Sequence, residues 1–206
     1  MNRMPYILPK DFTQAQQKLF ESITGGKRGQ GRATDTFLAP EGGLRGPFNA
    51  WLFSPILGEA AQRLGEAVRF ESALPPRLRE LAILTVAAKW QAQYEWWAHE
   101  KIASQVGLDK GVVGSLKART RPDFEDSAEA VVYDFARGVI DQHRVSDHHY
   151  REAVKCLCEA GVVDLAILLG YYTLVSMTLN VFEVSLPAGE KIPFVNSGQG
   201  EDGSEA

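Results

Sequence analysis

The chain has 206 residues, 45% of them hydrophobic, enough for one globular domain with a full core, or a domain plus a tail. Its formal net charge is −4 and it has no basic run, which excludes nucleic acid and anionic membrane surfaces as expected partners. The overall field slightly repels anions, so a small anionic substrate would need a local positive group.

Taken in chain order, residues 1–10 hold Arg3 but no apolar run, so no secretory signal is expected there. Asp11-Phe12-Thr13-Gln14 reads as a capping box opening a first helix that ends at Gly25-Gly26. Residues 25–46 then carry seven glycines and read as a loop. This loop has Lys27, Arg28 and Arg32 but not the G-x-x-x-x-G-K-[ST] spacing of a phosphate cradle. Its length suits a lid, or an arm lying over a neighbouring subunit. Near its end stands Arg45, the best-placed guanidinium to grip a carboxylate; a surface arginine before a helix is the competing reading.

Ser54-Pro55 supplies an N-cap and a first-turn proline for a helix to about Phe70. After residues 74–106, a short helix should follow Asp109, with a loop over residues 119–126. Further helices fit residues 127–142, 146–160 and 162–181. No segment alternates like a strand, so the expected fold is all-α, with about seven to eight helices in a domain over residues 1–186 and a flexible tail over 187–206. Residues 161–182 are long enough to span a bilayer, but Asp164, Ser176, Thr178 and Asn180 favour a helix buried in protein or in a subunit interface. Within that helix Tyr171, Tyr172 and Asn180 read as core or interface residues. Cys156 and Cys158, at i and i+2, should point about 200° apart on a helix and not bond each other. They read as small, buried or half-buried residues of a protein in a reducing cytoplasm.

Residues 74–106 carry the ionisable groups that an apolar segment keeps only for a partner or a reaction, namely Glu80, Glu95 and His99. Glu95 and His99 are an i, i+4 pair and share a helical face. On one continuous helix Glu80 and Glu95 would lie roughly 22 Å apart, so a common site requires a break between about Ala88 and Ala92, or two subunits. No glycine or proline marks such a break. His99 is the natural proton carrier, with Trp90, Tyr94 and Trp97 as a lining that keeps water away. The competing readings are a structural Glu–His pair, with Glu80 paired to Arg77 or Arg79. A metal site has only two ligands here and lacks the H-E-x-x-H pattern. His143, Asp147, His148 and His149 form a second cluster, read as a capped and solvated helix start.

The flanks Leu74-Pro75-Pro76-Arg77-Leu78-Arg79-Glu80-Leu81 and Tyr94-Glu95-Trp96-Trp97-Ala98-His99 resemble the carboxymuconolactone decarboxylase / alkylhydroperoxidase D family. The likeness is sharpest over residues 46–107 and weaker over 162–186. It lays the family's glutamate on Glu80, its two cysteine positions on Ala92 and Glu95, and its histidine on His99. Both cysteines are absent, and a glutamate four residues before the histidine is what the decarboxylase branch looks like. The resemblance implies an alkylhydroperoxidase D-like helical bundle with a break near Trp90, working as a homo-oligomer, a trimer or hexamer. It further implies a cofactor-free lyase acting on a small carboxylate or lactone, with no metal. His99 would be the acid/base, Glu95 its orienter, Glu80 a relay and Arg45 a substrate anchor. The alternatives are a thiol peroxidase, as in the other branch, or a non-catalytic ligand-binding relative.

Overall fold

The apolar run after Pro75 becomes a helix whose middle has no solvent face. In the computed structural model, which describes residues 2–27 and 37–194, this is α4 (Pro76–Trp90), and every residue from Glu80 to Ala88 is buried. A helix apolar on all sides must be covered on all sides. Here α5 (Gln93–Gln105), α6 (Lys110–Lys117), α7 (Ser127–Gln142) and α8 (Asp147–Val181) surround it. Leu81, Ile83 and Leu84 are 0% exposed, each worth roughly 1.5–3 kcal/mol relative to leaving it in water.

Three further helices build the other side: α1 (Gln14–Gly25), α2 (Pro47–Leu52) and α3 (Pro55–Phe70). Both α1 and α2 pack on α3, and α3 joins the bundle through α8. Asp164 of α8 ties down the α3–α4 connection, accepting from the Ser72 hydroxyl and the Ala73 N–H, each at 2.9 Å. The described residues thus form eight α-helices, with one isolated bridge between Leu38 and Leu44. The all-α expectation holds.

The helix ends test the capping arguments. Asp109 and Asp126 cap α6 and α7 through their carboxylates, and Ser146 rather than Asp147 caps α8. The box at the start of α1 sits two residues later than expected. Thr13 and Gln16 exchange the bonds, because Asp11 is spent in a short 3-10 turn at Pro9–Asp11. Ser54 precedes α3, yet its side chain makes no capping bond. The short α2 was not expected; Gly46, at φ 64°, lets the chain turn into it, and a Cβ there would stand 3.0 Å from the Tyr94 ring.

Two expected helices over residues 146–160 and 162–181 form one kinked element. The break lies at Cys158 (φ 55°), not at Gly161. Gly161 stays helical because its missing side chain admits Leu157, whose Cβ would be 2.8 Å from a Gly161 Cβ. By length and composition α8 could cross a membrane, but half of its most apolar stretch is buried in the protein, including Leu165, Leu168 and Leu169. Of the tail expected over 187–206, residues up to 194 dock on α5. Phe194 meets Trp96 edge-on at 5.1 Å and exchanges two hydrogen bonds with the Gln93 amide. Residues 195–206, and Arg28 and Arg32 of the glycine-rich loop, lie outside the described residues.

Candidate active site

The site depends on the turn between α4 and α5. Ala92 N–H bonds Ala87 C=O at 3.0 Å and Gln91 N–H bonds Ala88 C=O at 3.3 Å, while Gln91 takes the left-handed conformation at φ 47°. This is the Schellman arrangement that ends a helix, built here on glutamine where glycine is usual. The break therefore falls inside the expected window, and α5 folds back along α4. Glu80 on α4 and His99 on α5 come together within one subunit.

His99 lies between two carboxylates. Its Nδ1 is 2.6 Å from Glu80 Oε2, and its Nε2 is 3.0 Å from Glu95 Oε1. All three side chains are buried, at 4% (His99), 1% (Glu80) and 5% (Glu95) exposure. Arg69, near the end of α3, brings a guanidinium nitrogen to 3.4 Å from the same Nε2. Nε2 cannot donate to Glu95 and accept from Arg69 at once. The imidazolium donates to both carboxylates; the neutral ring keeps Nδ1–H on Glu80, which leaves Nε2 as the atom that gains and loses the proton.

Burial is the strongest influence on His99 and favours the neutral ring. Glu80 and Glu95 together overcome it, and the pKa lies above the ordinary 6.5. Burial also works to raise Glu80, but His99, Arg69 and Arg79 outweigh it and hold this carboxyl below its usual 4.5. The second oxygen of Glu80, Oε1, is buried with no hydrogen-bond partner among the described residues. Glu80 is thus held ionised by neighbouring charge rather than by a full set of bonds.

One side of this cluster opens into a cavity of about 500 Å³. His99, Glu95 and Arg69 line it, whereas Glu80 stands behind the imidazole. Of the other predicted residues, Arg45, Tyr94 and Trp97 line the cavity, and the Tyr94 and Trp97 rings lie 5.3 Å apart. Trp90 does not line it. The turn at Gln91 carries it to a separate cleft, where its carbonyl accepts from Asn180 Nδ2 at 2.8 Å. Phe37 and Arg45, at the end of the glycine-rich loop, reach the cavity of their own subunit.

Arg77 does not pair with Glu80; it binds Asp126 and Glu129 instead. On the first turn of α8, His148 is exposed and His149 half-buried, their rings 5.5 Å apart, and no group of three metal-ligating side chains occurs among the described residues. Cys156 and Cys158 are exposed free thiols, not half-buried, and neither borders the cavity.

Two contributors were not foreseen as site residues. Arg69 sits in the Val68-Arg69-Phe70 stretch, where a basic residue near a helix end reads as surface. Tyr172 reads as core, and it is 2% exposed, but its ring meets His99 edge-on at 5.2 Å and its hydroxyl hydrogen-bonds Arg69. Burial pushes the Tyr172 phenol well above its usual range, so it stays neutral.

Residues 55–136, which include Arg69, Glu80, Glu95 and His99, match the carboxymuconolactone decarboxylase family. No curated protein matches the chain. Among solved structures, an uncharacterised peroxidase-related protein from Silicibacter sp. TM1040 shares 16% identity, covering 91% of this chain and 92% of its own, with a TM-score of 0.67. An alkylhydroperoxidase AhpD core protein from Ralstonia eutropha JMP134 shares 17% identity over 91% and 93%, also at 0.67. The debrominase Bmp8, a cysteine-to-alanine variant in complex with 2,3,4-tribromopyrrole, shares 15% over 89% and 90%, at 0.65. Residues 55–136 are thus similar to the carboxymuconolactone decarboxylase family, and the chain shares its fold with the alkylhydroperoxidase AhpD core structure.

Proposed function

We propose that this protein is a decarboxylase-like lyase that releases carbon dioxide from a small unsaturated carboxylic acid or lactone, with His99 as the proton carrier. Heterolysis of the bond to the departing carboxylate leaves its electron pair on the substrate carbon, delocalised as an enolate-type carbanion. The His99 imidazolium then gives its Nε2 proton to that carbon, and solvent returns a proton to the neutral ring. The observation that carries this reading is His99 between two buried carboxylates at the wall of an open cavity.

The roles expected of the two carboxylates change places. Glu80, behind the ring on Nδ1, is the orienter and stabilises the imidazolium. Glu95, at Nε2 and on the cavity, adjoins the proton being moved. Tyr94 and Trp97 give the cavity apolar walls, where a carboxylate is poorly solvated and its loss is favoured.

The test is a screen of unsaturated carboxylic acids for carbon dioxide release, followed by His99→Gln on any substrate found. The variant should lose two or more orders of magnitude in turnover with its fold intact. Near wild-type turnover would remove His99 from the mechanism. A thiol peroxidase has less support: Ala92 and Glu95 stand at the family's thiol positions, and desolvation, then Asp126, raises the Cys156 thiol away from a reactive thiolate.

We also propose that the working unit is a homo-oligomer, a trimer or hexamer. Val163, Ile167, Leu174, Met177 and Val181 leave an exposed apolar stripe at heptad-like spacing along α8, the kind of face a second copy covers. Light scattering at micromolar concentration decides it, and a stable monomer would refute it.

A further inference from the structure

The cluster around His99 carries more positive charge than its own carboxylates balance. With the imidazole protonated, His99, Arg69 and Arg79 face Glu80 and Glu95, three cations against two anions. Arg69 is the cation of this group placed to meet a ligand. It is 9% exposed, it borders the cavity, and none of the ion pairs among the described residues uses its guanidinium. Its polar neighbours are His99 Nε2 at 3.4 Å and the Tyr172 hydroxyl. A buried guanidinium with donors left over is a strong receptor for an oxyanion, because its planar fork matches two oxygens and little water competes.

Arg45, the anchor expected from sequence, is less suited. Its Nε is already committed to the Leu38 carbonyl at 2.5 Å, in a more exposed position. The cavity wall indicates the shape of the ligand. Phe37, Phe48, Tyr94, Trp97, Tyr171 and Tyr172 surround the space in front of Arg69, and the faces and edges of such rings suit a flat, conjugated molecule.

We infer that Arg69 is the anion-binding residue of this cavity, and that the ligand it takes is a planar, conjugated oxyanion. The inference rests on the proton-transfer reading above and names its substrate class. The anion held by Arg69 is not the departing carboxylate, which an arginine would stabilise before the reaction. It is the oxygen conjugated with the reacting carbon, which holds the negative charge once carbon dioxide has left and is neutralised when His99 protonates that carbon. Arg69, 3.4 Å from Nε2, serves that oxygen while Nε2 serves the carbon.

The experiment is calorimetric binding to the intact protein, without turnover, using 2-naphthoate, 2-naphthamide and decahydro-2-naphthoate. Wild type should bind 2-naphthoate at least about tenfold more tightly than the amide, the effect of one charge-assisted hydrogen-bonded contact, and more tightly than the saturated acid. Arg69→Met should bring acid and amide to within threefold, Arg69→Lys should fall between, and Arg45→Met should keep the wild-type preference. Should the Arg69 variants fail to fold, Arg45→Met and Lys101→Met decide. Retention of the preference in both supports Arg69, and its loss in either overturns it. No preference for the acid in wild type, or full preference in a folded Arg69→Met, overturns the assignment; equal binding of the saturated acid overturns the planar class. Because no reaction is read, absence of carbon dioxide release leaves this result standing, and its failure leaves the role of His99 untouched.

Discussion

Two parts of the molecule pair histidines with acids, and they differ in almost everything else. At the start of α8, Asp147, His148 and His149 occupy a solvated first turn whose work is done by the Ser146 cap. At the α4–α5 seam, His99 is enclosed, held at both ring nitrogens and open only towards a cavity. The residue types alone do not separate them. Burial does, because removing water makes each remaining partner strong and each missing one costly. The histidine-rich segment is thus the less reactive of the two, and a single histidine with two carboxylates is the candidate centre.

The sharpest way to break this contrast is to remove the partner behind the ring. Glu80→Ala should destabilise the protein by about 3–5 kcal/mol, since it leaves His99, Arg69 and Arg79 facing Glu95 as their one remaining carboxylate. His148→Gln and His149→Gln, measured by the same denaturant titrations, should each stay within about 0.5 kcal/mol of wild type. Equal effects at the two places would dissolve the distinction.

A smaller effect follows from pH. The folded pKa of His99 lies above its ordinary 6.5, so its contribution to stability is fully present below 6.5 and is lost as pH rises through the folded value. Glu80 is shifted the other way, and its contribution is present above 4.5 and lost as pH falls through the lowered folded value. Melting temperatures of wild type should therefore decline on the alkaline side of 6.5 by an increment that His99→Gln lacks. An identical alkaline decline in the two proteins would mean that the buried pair does not favour the imidazolium.

The same contrast explains what could be read from the sequence. The helix starts after Asp109 and at the histidine-rich segment were legible because a cap is made by a side chain two or three residues from the N–H it serves. The turn that assembles the site was not legible locally. Its left-handed residue is Gln91, with neither glycine nor proline beside it, and only the resemblance put a break there. Glu80, Glu95 and His99 were visible as ionisable groups in an apolar run. Arg69 and Tyr172 were not, because their roles come from α3 and α8 packing at the site, and nothing in their own neighbourhoods departs from an ordinary helix. Trp90 lies off the cavity because it ends α4, while the left-handed Gln91 after it redirects the chain into α5, which carries Tyr94, Trp97 and His99 to the cavity.

The most direct test of the account is a nitrogen-15 NMR titration of the His99 imidazole. The account predicts a neutral ring protonated at Nδ1 and hydrogen-bonded to Glu80, with a titration midpoint above 6.5 that falls in Glu80→Gln. A midpoint below 6.5, or a neutral ring carrying its proton on Nε2, would contradict it.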